Sequence, residues 1–386
     1  MKTVLTLLLL VSSICLFAED VSVKPAGEGT EESPYLFDRL ENFFWLRQNV
    51  LEMDPDVPIY CKQVKDIDAS ATQQGGDYAW QTIEFNKHVF AYDGQCYTIY
   101  GLEPEEKGAL FGTGYLQLKN IRIQGAEGIK TCALAKNLYS LENKKGCFDN
   151  CRIKGLLVGT PALAEYVAGK DVTVNGCAVE ANIEGLRVSG ALIGILRGTG
   201  TCSFKKNSFK GKIVVGDPTT ISGMLLYLDI FLSNTEIYIE DCYSEFDVTI
   251  VPESECLFAG LLVNVHPFDN ITNSTVNIER CYVSGEVSRS LIVNNKAFVW
   301  GDAITNCIFN VRDCYYNESI NFPDDYAIGK TDEEMKQQAT FENWDFENVW
   351  DIDEGEGTPY LRCELPEPCG LFALLLLPLF LRRNKN

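Results

Sequence analysis

One short motif returns through the middle of this chain: a cysteine behind a polar turn, followed at once by an alternating apolar segment. The copies are Asn-Cys-Arg-Ile at Cys151, Gly-Cys-Ala-Val at Cys177, Thr-Cys-Ser-Phe at Cys202, Asp-Cys-Tyr-Ser at Cys242, Arg-Cys-Tyr-Val at Cys281 and Asn-Cys-Ile-Phe at Cys307. Their spacings are 26, 25, 40, 39 and 26 residues. A period near 25, with insertions in two copies, points to stacked repeats, since a unit that short cannot bury its apolar face alone. A Gly-hydrophobic turn accompanies the motif at Gly155-Leu156-Leu157-Val158-Gly159, Gly190-Ala191-Leu192-Ile193-Gly194, Gly223-Met224-Leu225-Leu226 and Gly260-Leu261-Leu262-Val263. Segments such as Val172–Val174, Ile213–Val215, Ile237–Ile239, Val248–Ile250 and Val276–Ile278 alternate in character and are bounded by Gly and Asn, the pattern of short strands with one face buried. No helical period is sustained between Phe90 and Phe309. The pattern predicts an all-β fold: a single-stranded parallel β-helix, or solenoid, with short capping helices at both ends.

Stacked coils lie about 4.8 Å apart, so one repeat position becomes a column. Cysteines in such a column have parallel side-chain vectors and Cβ atoms near the strand spacing, whereas a disulfide wants roughly 3.5–4.5 Å. Cys151, Cys177, Cys202, Cys242, Cys281 and Cys307 therefore read as small buried core residues rather than half-cystines, although fifteen cysteines in an exported chain first suggest a disulfide framework. Cys147/Cys151 and Cys307/Cys314 leave the column and are the better candidates for a bridge or a metal. Cys147-x-x-x-Cys151 has the spacing of half a zinc site, but no second Cys/His pair accompanies it.

The open ends of a stack need covers, because exposed strand edges invite association. Ser33-Pro34, followed by Leu36, Leu40, Phe43, Phe44 and Leu51 at helical spacing, predicts an N-terminal cap helix over 33–52, behind a mobile leader at 19–32. The repeats fill 53–325. Thr331-x-x-Glu334 reads as a capping box opening a short helix in a closing segment over 326–361, where Phe341, Trp344, Phe346 and Trp350 supply a plug.

Both termini carry addresses. Residues 1–18 have a positive start, an apolar run and Ala18 before Glu19-Asp20, which is a secretory signal peptide. At the other end, residues 362–386 hold Pro366-Glu367-Pro368, an apolar stretch over 370–381 and a basic end led by Arg382-Arg383. Twelve residues broken by Pro378 are too few for a permanent span, which needs about 20, so transient membrane contact is expected, with the basic end on the cytoplasmic side.

The tail, by its triplet, length, arginine pair and position, resembles the PEP-CTERM sorting signal of bacterial envelope proteins. That resemblance implies a sorting protease or transpeptidase of the exosortase type as partner. The Gly-Leu-Leu-Val-Gly turn with its cysteine-led strand resembles the GLUG repeat of bacterial surface proteins. Asp66-Ile67-Asp68, Trp80, Ile83, Phe90 and Asp93-Gly94-Gln95-Cys96-Tyr97-Thr98-Ile99 look like the opening of such proteins. Gly329-Lys330-Thr331, Trp344-Asp345-Phe346, Trp350-x-Ile352-Asp353-Glu354-Gly355 and Pro359-Tyr360-Leu361 are similar to their closing segment. The resemblance implies a right-handed coil and a cell-surface role.

Removing the two ends leaves roughly 345 residues, enough for one elongated domain or two compact ones. The net charge of −21 makes nucleic acid and anionic lipid poor partners. Only two histidines exist. His88 precedes an apolar strand and His266 a proline, so neither suggests a nucleophile–base pair, and no phosphate loop, dinucleotide fingerprint or His-Glu-x-x-His motif is present. Asp241, Glu245, Asp247, Glu253 and Glu255 are the carboxylates a polysaccharide lyase or glycosidase would draw on, though 54 acidic residues cluster by chance. Asp66-Ile67-Asp68 and Asp351-Ile352-Asp353-Glu354-Gly355-Glu356 place hard oxygens together as calcium prefers, without the spacing of a known calcium loop; otherwise no cofactor is expected. The expected function is that of an exported, non-catalytic protein of the cell envelope or extracellular matrix, adhesin-like, contacting polysaccharide or a neighbouring cell through loops near 217–236 and 264–275. The alternatives are a polysaccharide lyase or glycoside hydrolase, or a purely structural envelope protein.

Overall fold

The computed structural model describes residues 21–73, 78–104, 108–185, 190–215, 226–228, 234–250, 259–264, 274–288, 296–301 and 307–364. The expected signal peptide, the expected sorting residues Pro366, Glu367, Pro368, Arg382 and Arg383, most of both expected insertion loops, His266, Glu253 and Glu255 lie outside them.

The described residues are mostly strand, with one α-helix, Leu40–Asn49. Two parallel sheets dominate, and the expected single-stranded β-helix needs correction. Six strands close on themselves: Ala109–Lys119, Ala133–Ser140, Ala164–Lys170, Ile193–Lys205, Thr173–Asn175 and Cys147–Asp149 pair in that order, and the last returns to the first. The result is a closed parallel ring with further strands attached, flanked by a separate ten-stranded parallel sheet. Closure depends on two long strands. Ala109–Lys119 pairs through Ala109–Gly114 with one neighbour and through Gln117–Lys119 with another, and Ile193–Lys205 divides in the same way. Glycines inside them, including Gly200 at φ +65°, let the chain bend without ending the strand. A repeat period marks where turns recur but not where a strand runs on through a corner.

The caps also differ. Tyr35–Phe37 is a strand paired with Ile59–Gln63, so the helix begins only at Leu40 and Ser33-Pro34 does not open it. At the far end the described residues form only short 3-10 turns and no α-helix. Thr331 and Glu334 do exchange backbone-to-side-chain hydrogen bonds at 2.9 and 3.3 Å, but they open only the short 3-10 turn Glu334–Lys336. Nor does the closing segment form an end plug. Phe341, Trp344 and Trp350 pack on Tyr243, Tyr282 and Tyr315 along the flank of the ten-stranded sheet, and the chain then runs back as a strap until Glu364 reaches Arg152.

The main core is one apolar cluster from Tyr35 to Ile320, beside the smaller cluster under the strap. One of its corners is built alike in every layer. Asn120, Asn150, Gly176, Lys206, Asp241, Arg280 and Asp313 all have φ between 51° and 65°, the left-handed turn that ends one strand and starts the next. The residues that follow, Ile121, Cys151, Cys177, Asn207, Cys242, Cys281 and Cys314, are all buried. Thus Cys151, Cys177, Cys242 and Cys281 share the corner, whereas Cys202 and Cys307 do not. Cys202 is buried five residues earlier, paired in register with Ile237, and Cys307 pairs in register with Ser274. Asn207 and Cys314 hold the corner places in those layers.

The corner thiols are hydrogen-bonded rather than bridged. Cys281 donates its S–H toward the Glu279 carbonyl at 3.2 Å and its Sγ accepts the Cys242 N–H at 3.4 Å. Asn207 accepts the Cys177 N–H at 3.0 Å and donates to the Val174 carbonyl at 2.9 Å. Burial pushes the Cys177 and Cys281 thiols well above their ordinary value, and neighbouring thiols push further in the same direction, so both stay protonated. Cys147, Cys151 and Cys314 are free thiols.

A candidate binding groove on the ten-stranded sheet

Along the ten-stranded sheet, Thr98, Arg122, Arg152, Ala178, Ser208, Tyr243, Tyr282 and Tyr315 share one register position and form one outward row. The strap covers the tyrosine end, where the Tyr243 and Tyr282 rings stack 5.0 Å apart with planes 1° from parallel. The rest of the row opens into a groove of about 300 Å³ floored by Arg122, Arg152, Ala178 and Ser208, with Glu364 at its inner end. It continues into a shallower trough of about 990 Å³ lined by Gly125, Gly155, Gly211, Asn182, Asp247 and Thr358. The trough floor is low because side chains are excluded from it. A Cβ on Gly211 (φ +152°) would come within 1.8 Å of the Ala181 carbonyl oxygen, and one on Gly285 (φ +138°) equally close to that of Phe246.

Two residues along each strand, the next outward row runs Gln124, Lys154, Glu180, Lys210, Glu245 and Ser284. It alternates in charge, with Lys154–Glu180 at 2.7 Å and Lys210–Glu245 at 2.9 Å. Such pairs across neighbouring strands contribute a few tenths of a kcal/mol at an exposed surface.

Strap and sheet meet at a polar junction. Arg152 donates to the carbonyls of Glu364, at 2.8 Å, and Cys363, and its Nε is buried without a partner. Tyr243 donates its hydroxyl to Glu364 Oε2 at 2.7 Å, while Oε1 has no partner. Burial raises the Glu364 carboxyl above its ordinary value, against hydrogen bonds from Ser208 and Tyr243 and the Lys210 charge, which lower it. The Tyr282 hydroxyl lies 2.6 Å from both Glu245 Oε1 and the Pro359 carbonyl, so it donates to one of them at a time.

Of the carboxylates singled out from sequence, Asp241 is structural, held between Arg280 and Trp350. Glu245 and Asp247 line the trough. The two acidic motifs are occupied locally: Asp66 and Asp68 accept the Thr98 and Ser70 N–H groups at 2.8 and 2.9 Å, and Asp351 pairs with Arg362 at 2.9 Å. Among the described residues no group of three His, Cys, Asp or Glu is disposed to hold a metal ion. His88 is buried away from the groove, its ring nitrogens 2.6 Å from the Phe85 carbonyl and 3.2 Å from that of Met53.

Arg122, Arg152 and Glu364 are not among the residues the sequence singles out. The two arginines have a sequence signal once the repeat is aligned with Ile121 in the cysteine's place: Asn120-Ile121-Arg122-Ile123-Gln124-Gly125 lies over Asn150-Cys151-Arg152-Ile153-Lys154-Gly155. Glu364 has none, since only the strap's path brings it here.

No family model matches the chain, and no curated protein matches it. Among solved structures it is similar to a candidate immunoglobulin A1 protease from Bacteroides ovatus, with 16% identity and a TM-score of 0.49 over 87% of this chain and 94% of that one. A likeness so remote carries no assignment of function.

Proposed function

We propose that this is an exported contact protein of the bacterial envelope or extracellular matrix, which holds an extended carbohydrate in the groove of its ten-stranded sheet without turning it over. The observation that carries the reading is the groove itself, a long open trough whose lining mixes donors and acceptors in successive layers. Hydroxyl groups both donate and accept, so a sugar chain matches such a lining. Delivery by the signal peptide, and sorting through the Pro366-Glu367-Pro368 tail by an exosortase-type enzyme, complete the proposal. Binding of immobilised polysaccharides by the full chain, with no new reducing ends or unsaturated products, supports it; silence across the panel would overturn it. Mass spectrometry of the mature protein tests the sorting step, which an intact Asn386 in the envelope fraction would exclude.

One observation favours a second reading, a polysaccharide lyase or glycoside hydrolase. Glu364, with its raised carboxyl and an unpartnered oxygen, shares the edge of the groove with Glu245, and two carboxylates in unlike surroundings are what acid–base chemistry on a sugar requires. Product release from any polysaccharide that is abolished by Glu364→Gln would establish it.

A further inference from the structure

We infer that the groove takes an acidic glycan with sparse carboxylates, one of which sits between Arg122 and Arg152. The inference deepens the carbohydrate reading above and rests on it.

Arg122 and Arg152 are direct register partners on neighbouring strands, so two arginine side chains leave the sheet from backbones about 4.8 Å apart. Like charges directly opposite one another on a sheet destabilise it. Elsewhere this sheet avoids the penalty by alternation, as in Lys154–Glu180 and Lys210–Glu245. Here, among the described residues, neither arginine is paired with a carboxylate, although that of Glu364 lines the same groove. Arg122 makes no ion pair among the described residues, and Arg152 is turned to the carbonyls of Cys363 and Glu364 with its Nε unsatisfied. On a chain of net charge −21, an uncompensated arginine pair flooring a groove is a built anion site.

The occupant follows from its surroundings. A peptide recognised through its main chain needs a free strand edge, but the floor is mid-sheet, with Arg152–Val158 paired on both sides. Gln124 and Ser208 beside the arginines offer hydroxyl-matching groups instead. The acidic body, with Glu245 and Asp247 along the trough, repels a dense polyanion. A glycan with one carboxylate per disaccharide places its charges about 10 Å apart, beyond a Debye length at physiological salt, and meets the arginine pair without crowding its other charges against the acidic trough.

Calorimetry with the full chain and a hyaluronan hexasaccharide, alongside its carboxyl-reduced neutral form, tests the inference. The acidic form is expected to bind at least tenfold more tightly. Arg122→Gln is expected to remove that preference without lowering the melting temperature, because among the described residues Arg122 makes no ion pair and it faces a like charge on the neighbouring strand. Equal binding of the two forms, or an Arg122→Gln variant that keeps the preference, overturns the carboxylate site but leaves the carbohydrate reading standing. Displacement of the hexasaccharide by a peptide of residues 365–369 would also overturn it, assigning the groove to the chain's own tail. Binding of neither form overturns the inference together with the reading beneath it.

Discussion

Trp350 donates its indole N–H to Asp241 Oδ1 at 3.2 Å, joining the strap to a left-handed corner more than a hundred residues earlier in the chain. The same carboxylate takes Arg280 Nε at 2.8 Å, so a single buried aspartate ties a corner, its neighbouring layer and the strap together.

Trp350→Ala is therefore expected to loosen the strap. It removes a fully buried ring in contact with Tyr243, Tyr282 and Trp344 and leaves Asp241 short of a donor. The cost is about 3–5 kcal/mol. Hydrogen exchange should show protection lost over Phe341–Glu364 before the sheets open. Loss of protection everywhere at once would mean that the strap and sheets form one cooperative unit.

Asn207 occupies the corner place that cysteine holds in neighbouring layers, and its amide serves the Cys177 N–H and the Val174 carbonyl. Asn207→Ala orphans both groups and is expected to cost roughly 2–3 kcal/mol in urea unfolding. Asn207→Cys should recover part of that, because a thiol fits the corner in the layers on either side. A cysteine variant no better than alanine would refute the equivalence of the layers.

Gly211→Ala and Gly285→Ala should each destabilise by about 2 kcal/mol or more, because the added methyl meets a carbonyl oxygen at a backbone angle that L-residues rarely adopt. Gly357→Ala is the control, with nothing within 4 Å and no positive φ, and should be neutral within about 0.5 kcal/mol. Melting curves of the three variants suffice.

The Glu364 carboxyl is raised by burial, so the docked strap holds that proton more tightly than an undocked one. Between the free and the raised pKa the docked state binds more protons, and strap docking weakens as pH rises through that window. Exchange protection over the strap should be greater at pH 5 than at pH 7. Glu364→Gln should flatten the dependence; a variant with the wild-type pH profile would assign the effect elsewhere.

The thiols give a fifth test. Among the described residues Cys61, Cys132, Cys151, Cys177, Cys202, Cys242, Cys281 and Cys314 are buried, while Cys96, Cys147 and Cys363 are half-buried. Alkylation of the native protein should mark Cys96, Cys147 and Cys363 before the corner thiols, which are spared until denaturant is added. Early labelling of Cys281 would contradict the buried ladder.

Much of the strand content was legible from residue order, because alternation and punctuation by Gly and Asn are local properties. The corner was legible at Cys151, Cys177, Cys242 and Cys281, where a left-handed residue and a small buried one follow each other in sequence. It was misread at Cys202 and Cys307, since a thiol five or seven residues early looks the same in a one-dimensional pattern. Asn207, a polar residue in a core position, has no local signature; its amide is tolerated only because Val174 and Cys177, in the neighbouring layer, satisfy it.

By itself the sequence determined that this chain is acidic, repetitive and built of short strands, because composition and period are carried by neighbouring residues. Only the tertiary structure decided that two long strands close a ring, that the final segment lies along a flank rather than across an end, and that Arg122, Arg152 and Glu364 line one groove. Those facts depend on contacts between residues up to about two hundred positions apart, where what a side chain meets is set by the packing of whole layers and not by its neighbours in the chain.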